Sequence, residues 1–103
     1  MPNVGLMNNH LKYFETCEYK NEIKHIDLSD NQLLDISLLL DLLTNLETIY
    51  VSKNFIKSIE LKKEMKSLRK FICFDNMIAN VKGLNNAVNL RKLNLAKNKL
   101  KTF

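Results

Sequence analysis

The sequence predicts an α/β fold: one domain coiled as a solenoid, with about five short parallel strands on one side and irregular or short-helical segments on the other. Three observations predict it. Asparagine recurs at Asn9, Asn31, Asn54, Asn76 and Asn98, at spacings of 22, 23, 22 and 22 residues. Apolar residues stand at five fixed positions around every one of these asparagines. The 103 residues contain only two Gly and one Pro, too few for a fold of many tight hairpins.

Each position within the period has a physical role. Eight residues before the asparagines stand Met1, Ile23, Leu46, Leu68 and Leu90, and five before stand Val4, Ile26, Ile49, Phe71 and Leu93. Three before stand Leu6, Leu28, Val51, Cys73 and Leu95. Two after come Leu11, Leu33, Ile56, Ile78 and Leu100, and five after come Phe14, Ile36, Ile59, Val81 and Phe103. In a chain that is 46% apolar, 25 apolar residues at 25 positions would arise by chance with a probability on the order of 10⁻⁹, so the period is structural. The two apolar residues five and three before each asparagine form a short strand whose alternate side chains point inward. One such strand buries too little to be stable alone, and stacking successive units completes a core. The asparagine turns the chain out of the strand.

The pattern L-x-x-L-x-L-x-x-N-x-L-x-x-L resembles the leucine-rich repeat over the whole chain. The 22-residue period, with Ile favoured after the Asn, is similar to the subclass typified by a regulatory subunit of protein phosphatase 1. An axonemal dynein light chain and a spliceosomal ribonucleoprotein subunit share that subclass. The resemblance implies one right-handed domain over 1–103, with units at about 1–22, 23–45, 46–67, 68–89 and 90–103. It also implies that Asn9, Asn31, Asn54, Asn76 and Asn98 form a ladder, their amides satisfying buried backbone groups of neighbouring turns.

Departures from the pattern are informative. A further Leu is expected eight residues after each Asn, where Cys17, Leu39, Lys62 and Leu84 stand. Lys62 is a misfit, and Leu61 is expected to turn inward in its place. The 23-residue unit carries its extra residue within 38–43, where five of six residues are Leu. A short helix with its apolar stripe on the core is expected there. Gly83 marks a backbone bend after Val81. Cys17 and Cys73 fall at inward positions three turns apart, about 15 Å at a strand spacing of about 4.8 Å, which is too far for a disulfide. Both are read as small core hydrophobes.

Leucine-rich-repeat proteins bind partners mainly on the concave sheet, so the resemblance directs attention to the side chains between the inward ones. Tyr50, Ile72 and Phe74 fall at outward positions on adjacent units, with Phe55 and Met77 just beyond, at the rim. An exposed apolar and aromatic cluster edged by Lys53, Lys70 and Asp75 has the make-up of a protein-binding hot spot. Lys70 and Lys92 join it as flanking cations. For Phe55 and Met77 the competing reading is packing against the next turn.

Charge is divided along the chain. Residues 1–51 carry three Lys and eight Asp or Glu, whereas residues 52–103 carry 13 Lys or Arg and three Asp or Glu; the net charge of +5 is the sum of −5 and +10. The basic half, with Arg69, Lys70, Arg91, Lys92, Lys97, Lys99 and Lys101, offers a surface for an acidic protein or RNA. Of its cations, 14 in the whole chain are Lys, alongside 14 Asn. Both residues have A/T-rich codons, so part of this character reflects composition.

Other function classes find no support in the residues. His25, Asp27 and Ser29 share one strand but stand in a row on an open sheet, without an oxyanion site. No Gly-rich phosphate loop and no Cys/His ligand spacing occurs. No cofactor, metal or small-molecule substrate is therefore expected, and no enzyme. A secretory signal is not evident, and the apolar run 36–46 is broken by Asp41 and too short to span a bilayer. The expected location is intracellular, in cytoplasm or nucleus. Met1 and Phe103 both occupy positions of the pattern, without polar capping segments. The expectations are a longer array, an assembly whose partners cover the ends, or a chain that stands alone. The function expected is a non-enzymatic protein–protein interaction module, a scaffold or regulatory subunit; phosphatase regulation rests on the resemblance alone. The alternative is a structural subunit of a large ribonucleoprotein, axonemal or cytoskeletal assembly.

Overall fold

A computed structural model describes residues 3–4 and 20–100. It is a small α/β structure whose strands all pair in parallel. Strands β1 (Asn3–Val4), β2 (His25–Asp27), β3 (Thr48–Tyr50), β5 (Lys70–Ile72) and β7 (Lys92–Asn94) form a five-stranded sheet in that order. The register is in step with the sequence period: Val4, Ile26, Ile49, Phe71 and Leu93 are successive partners across it. Each described strand is three residues long apart from β1, and in β2, β3 and β5 the middle residue is turned to the core and the outer two face away. Ile26, Ile49 and Phe71 are buried, each worth about 1.5–3 kcal/mol relative to exposure. Leu93 is 37% exposed, because among the described residues β7 has a partner strand only on its β5 side.

The return segments differ from the expected irregular or short-helical form in two units. Strands β4 (Ser58–Glu60) and β6 (Asn80–Lys82) pair in a second parallel sheet. Ile59 points inward between two polar neighbours, and Glu60 is the register partner of Lys82. In the 23-residue unit the corresponding place holds helix α1 (Ser37–Leu42). The Asp35 carboxylate accepts the Ser37 backbone N–H at 2.9 Å and its hydroxyl at 2.6 Å, so the chain enters the helix with those donors satisfied. Ile36, Leu39, Leu40 and Leu43 then lie on one buried face, as a helical spacing of three and four requires.

Further along, Leu61 is buried and Lys62 is exposed. Met65 is buried in the same return segment. Gly83 has φ +78° and opens a 3₁₀ turn over Leu84–Asn86.

Cys73 is fully buried, and burial pushes its thiol up from the ordinary 9.0 to about 12. The raised value favours the neutral form, so its contribution to stability is intact below pH 9 and is lost as pH rises towards about 12. In the native protein at mild alkaline pH, Cys73 is expected to resist iodoacetamide, and to react once denaturant is added. Peptide mapping by mass spectrometry checks this; rapid native alkylation at Cys73 would contradict it. Cys17 lies outside the described residues.

Candidate partner-binding face

The bends that follow the strands hold this face in place. The residue before each described asparagine of the 22-residue period adopts a left-handed conformation: Asp30 (φ 59°), Lys53 (57°), Asp75 (60°) and Lys97 (55°). A left-handed residue turns the chain sharply. Pairing with the next unit continues through it: Asp30, Lys53 and Asp75 donate their N–H to Ser52, Phe74 and Ala96 carbonyls, each at 2.9 Å.

The asparagine that follows locks the bend. Asn54 Nδ2 donates to Leu28 O (2.9 Å), Val51 O (3.0 Å) and Ser52 O (3.2 Å), while its Oδ1 accepts the Leu33 N–H at 3.1 Å. Asn76 repeats this with Val51 O (3.0 Å), Cys73 O (3.1 Å) and Phe74 O (3.4 Å), accepting from Ile56 N–H at 3.1 Å. Asn98 does so with Cys73, Leu95 and Ala96 carbonyls and the Ile78 N–H. Asn31 Nδ2 donates to Leu28 O and Ser29 O within its own bend. Asn9 lies outside the described residues. A neutral amide is the one short side chain that supplies donors and an acceptor together, which is why the position is Asn.

A second set of amides was not evident from the period. Asn45 Nδ2 donates to Asn21 O at 2.9 Å and Asn89 Nδ2 to Lys66 O at 2.7 Å, while Asn86 Nδ2 donates to Leu61 O at 2.7 Å. These tie the return segments of adjacent units together. Asn45 and Asn89 share one place in the period, nine residues before Asn54 and Asn98, but the intervening unit carries Ser67 there and Asn86 stands at another place.

On this frame the sheet presents two rows across its open face. In register, His25, Thr48, Lys70 and Lys92 form one row, and Asp27, Tyr50, Ile72 and Asn94 form the next. Phe74 follows two residues after Ile72. Tyr50, Ile72 and Phe74 are all half-buried, leaving part of each side chain available. The Lys70 ammonium lies 5.9 Å from the Tyr50 ring centroid, and that of Lys97 lies 5.5 Å from Phe74, both within cation–π range. Lys92 is brought beside Lys70 by the register of β5 and β7. Phe55 and Met77 stand after the asparagines on adjacent bends and are 50% and 43% exposed; they project outward at the rim rather than packing under the next turn.

The His25, Asp27 and Ser29 side chains are each engaged elsewhere. His25 Nδ1 lies 2.7 Å from Thr48 Oγ1, and Asp27 accepts the Ser29 backbone N–H at 3.0 Å. The Ser29 hydroxyl oxygen accepts the Ser52 N–H at 3.2 Å. Among the described residues no three His, Cys, Asp or Glu side chains group as a metal site would need. A hollow of about 160 Å³ lies over the second sheet, lined by Ser58, Ile59, Glu60, Asn80 and Lys82, smaller than the roughly 300–1,000 Å³ usual for small-molecule sites. No helix among the described residues is long and apolar enough to cross a membrane. No protein-family model matches the sequence, and no curated protein matches it.

Proposed function

We propose that the chain is a leucine-rich-repeat protein of the 22-residue class, and that it is a non-enzymatic interaction module. The open face of its five-stranded sheet receives another protein, as in a scaffold or regulatory subunit acting in the cytoplasm or nucleus. The observation that carries this reading is the half-exposed cluster of Tyr50, Ile72 and Phe74 on adjacent units, with a lysine over each ring. Large, preordered aromatic side chains of this kind dominate binding energy in protein interfaces. The frame around them is fixed by buried amides, so little ordering is needed when a partner docks.

The test is a double substitution. Tyr50→Ala with Phe74→Ala is expected to abolish recovery of the partner in affinity purification from the native cell, because truncating a hot-spot residue costs about 2 kcal/mol or more. Neither residue is fully buried, so the melting curve is expected to change little. Unaltered partner recovery would reject the reading.

A further inference from the structure

We propose that the partner segment bound on this face is an extended acidic peptide in which one carboxylate is followed, at the second and fourth residues after it, by apolar side chains. The proposal rests on the partner-binding reading of the face and specifies its ligand.

The spacing comes from β5 and its exit. Lys70, Ile72 and Phe74 are alternate residues, each half-buried, separated by buried Phe71 and Cys73. All three leave the same side of the chain, with about 6.6 Å between successive positions. An extended ligand has the same two-residue period, so it can present a carboxylate to Lys70 and apolar groups to Ile72 and Phe74. Tyr50, the register partner of Ile72, widens the apolar part.

The charge requirement comes from what stands beside Lys70. Its partners across the sheet are Thr48 and Lys92, so two lysines stand in register on neighbouring strands, the Lys70 ammonium leaning over Tyr50. Like charges directly opposite destabilise a sheet, and a carboxylate placed between them removes that repulsion. The rim is mixed, since Asp30, Lys53, Asp75 and Lys97 alternate in sign from bend to bend. On the open face of the sheet, Lys70 and Lys92 are thus the two cations that stand in register on neighbouring strands.

A single-stranded nucleic acid fits less well. Such ligands stack bases on free aromatic faces. Here lysine ammonium groups occupy faces of Tyr50 and Phe74, and Asp27 is the register partner of Tyr50 on its other side.

The experiment selects displayed random peptides of about 12 residues on the 103-residue chain, with the Tyr50→Ala, Phe74→Ala variant as a parallel target. One enriched peptide is then compared with its carboxamide form (Asp→Asn, Glu→Gln), with the Lys70→Gln, Lys92→Gln variant, and with an oligouridylate of similar length. Enriched sequences are expected to carry a carboxylate followed at the second and fourth positions by apolar residues. The carboxamide form is expected to bind about tenfold more weakly at low salt, with the difference shrinking as salt rises. Lys70→Gln, Lys92→Gln is expected to lose a similar factor while melting no lower than the parent. Neutral or basic enriched sequences, or equal binding of the carboxamide form, overturn the acidic ligand while leaving the face intact if Tyr50→Ala, Phe74→Ala still loses binding. Equal enrichment on that variant, or none on the parent, overturns the face itself. Displacement of the peptide by oligouridylate at comparable concentration overturns the proposal in favour of RNA.

Discussion

Asn76→Leu is expected to lower stability by about 4 kcal/mol, a large part of the roughly 5–15 kcal/mol typical of a domain this size. The Asn76 side chain is 4% exposed. Leucine fills the space but supplies no polar atom. The Ile56 N–H then loses its acceptor in the core, and an orphaned buried donor costs about 1–3 kcal/mol by itself. Val51 and Cys73 carbonyls each lose one of two amide donors, since Asn54 also binds Val51 O and Asn98 also binds Cys73 O. Asn76→Asp separates these contributions. It keeps an acceptor for Ile56 but aims a carboxylate oxygen at the Val51, Cys73 and Phe74 carbonyls, so its loss is expected to be at least as large at neutral pH. Acidification is expected to recover part of it, because a protonated carboxyl donates one hydrogen bond. Urea denaturation of the three proteins at two pH values checks this; a Leu variant within 1 kcal/mol of the parent would contradict it.

Gly83→Ala is expected to cost about 3 kcal/mol or more. Its φ of +78° already disfavours a side chain by about 1–2 kcal/mol. The added Cβ would also fall 2.2 Å from the Leu61 carbonyl oxygen and 3.0 Å from its carbon, and backbone cannot move aside as a flexible side chain does. Relief requires opening the β4–β6 pair next to the Leu61 N–H to Lys82 O bond, which is 3.0 Å long. Gly83→Asn distinguishes the two causes. Asparagine tolerates left-handed backbone, so if the contact dominates, Asn is expected to be nearly as damaging as Ala. Lys53→Ala is the control, because Lys53 adopts φ 57° with a side chain already present; it is expected to change stability by under about 0.5 kcal/mol. Thermal melts of the four proteins decide the matter, and a Gly83→Ala melt like the parent's would refute the clash.

The parts legible in the sequence were those set by periodic burial. The inward residues Ile26, Ile49 and Phe71 fixed both the strand positions and their register, since a slip of one residue would bring polar neighbours into the core. The leucine run at 38–43 likewise indicated helix α1, because four apolar residues at helical spacing have one way to bury together. Strands β4 and β6 were not legible. Ser58-Ile59-Glu60 and Asn80-Val81-Lys82 each offer a single apolar residue between polar ones, a signal too short to separate a strand from a loop. The left-handed residues were hidden for another reason. Asp30, Lys53, Asp75 and Lys97 are all charged and exposed, but none is Gly or Asn and charge does not specify a left-handed backbone, which is dictated here by the asparagine after them and the pairing of the next unit. At the candidate face, residue positions followed from the period, but the placement of Lys70 over Tyr50 and Lys97 over Phe74 depended on side-chain packing between units.

The direction of the asparagine bonds has a consequence for synthesis of the chain. The N–H groups of Leu33, Ile56 and Ile78 are each accepted by an amide 20 or 21 residues further on. At ordinary translation rates of about 5–20 residues per second, the acceptor is made about 1–4 seconds after its donor. Each of these bends therefore emerges with a polar group that its own segment does not satisfy, and water must serve until the following segment arrives. Closure of each bend in this order follows the ribosome, and a pause in translation leaves the newest bend hydrated and open.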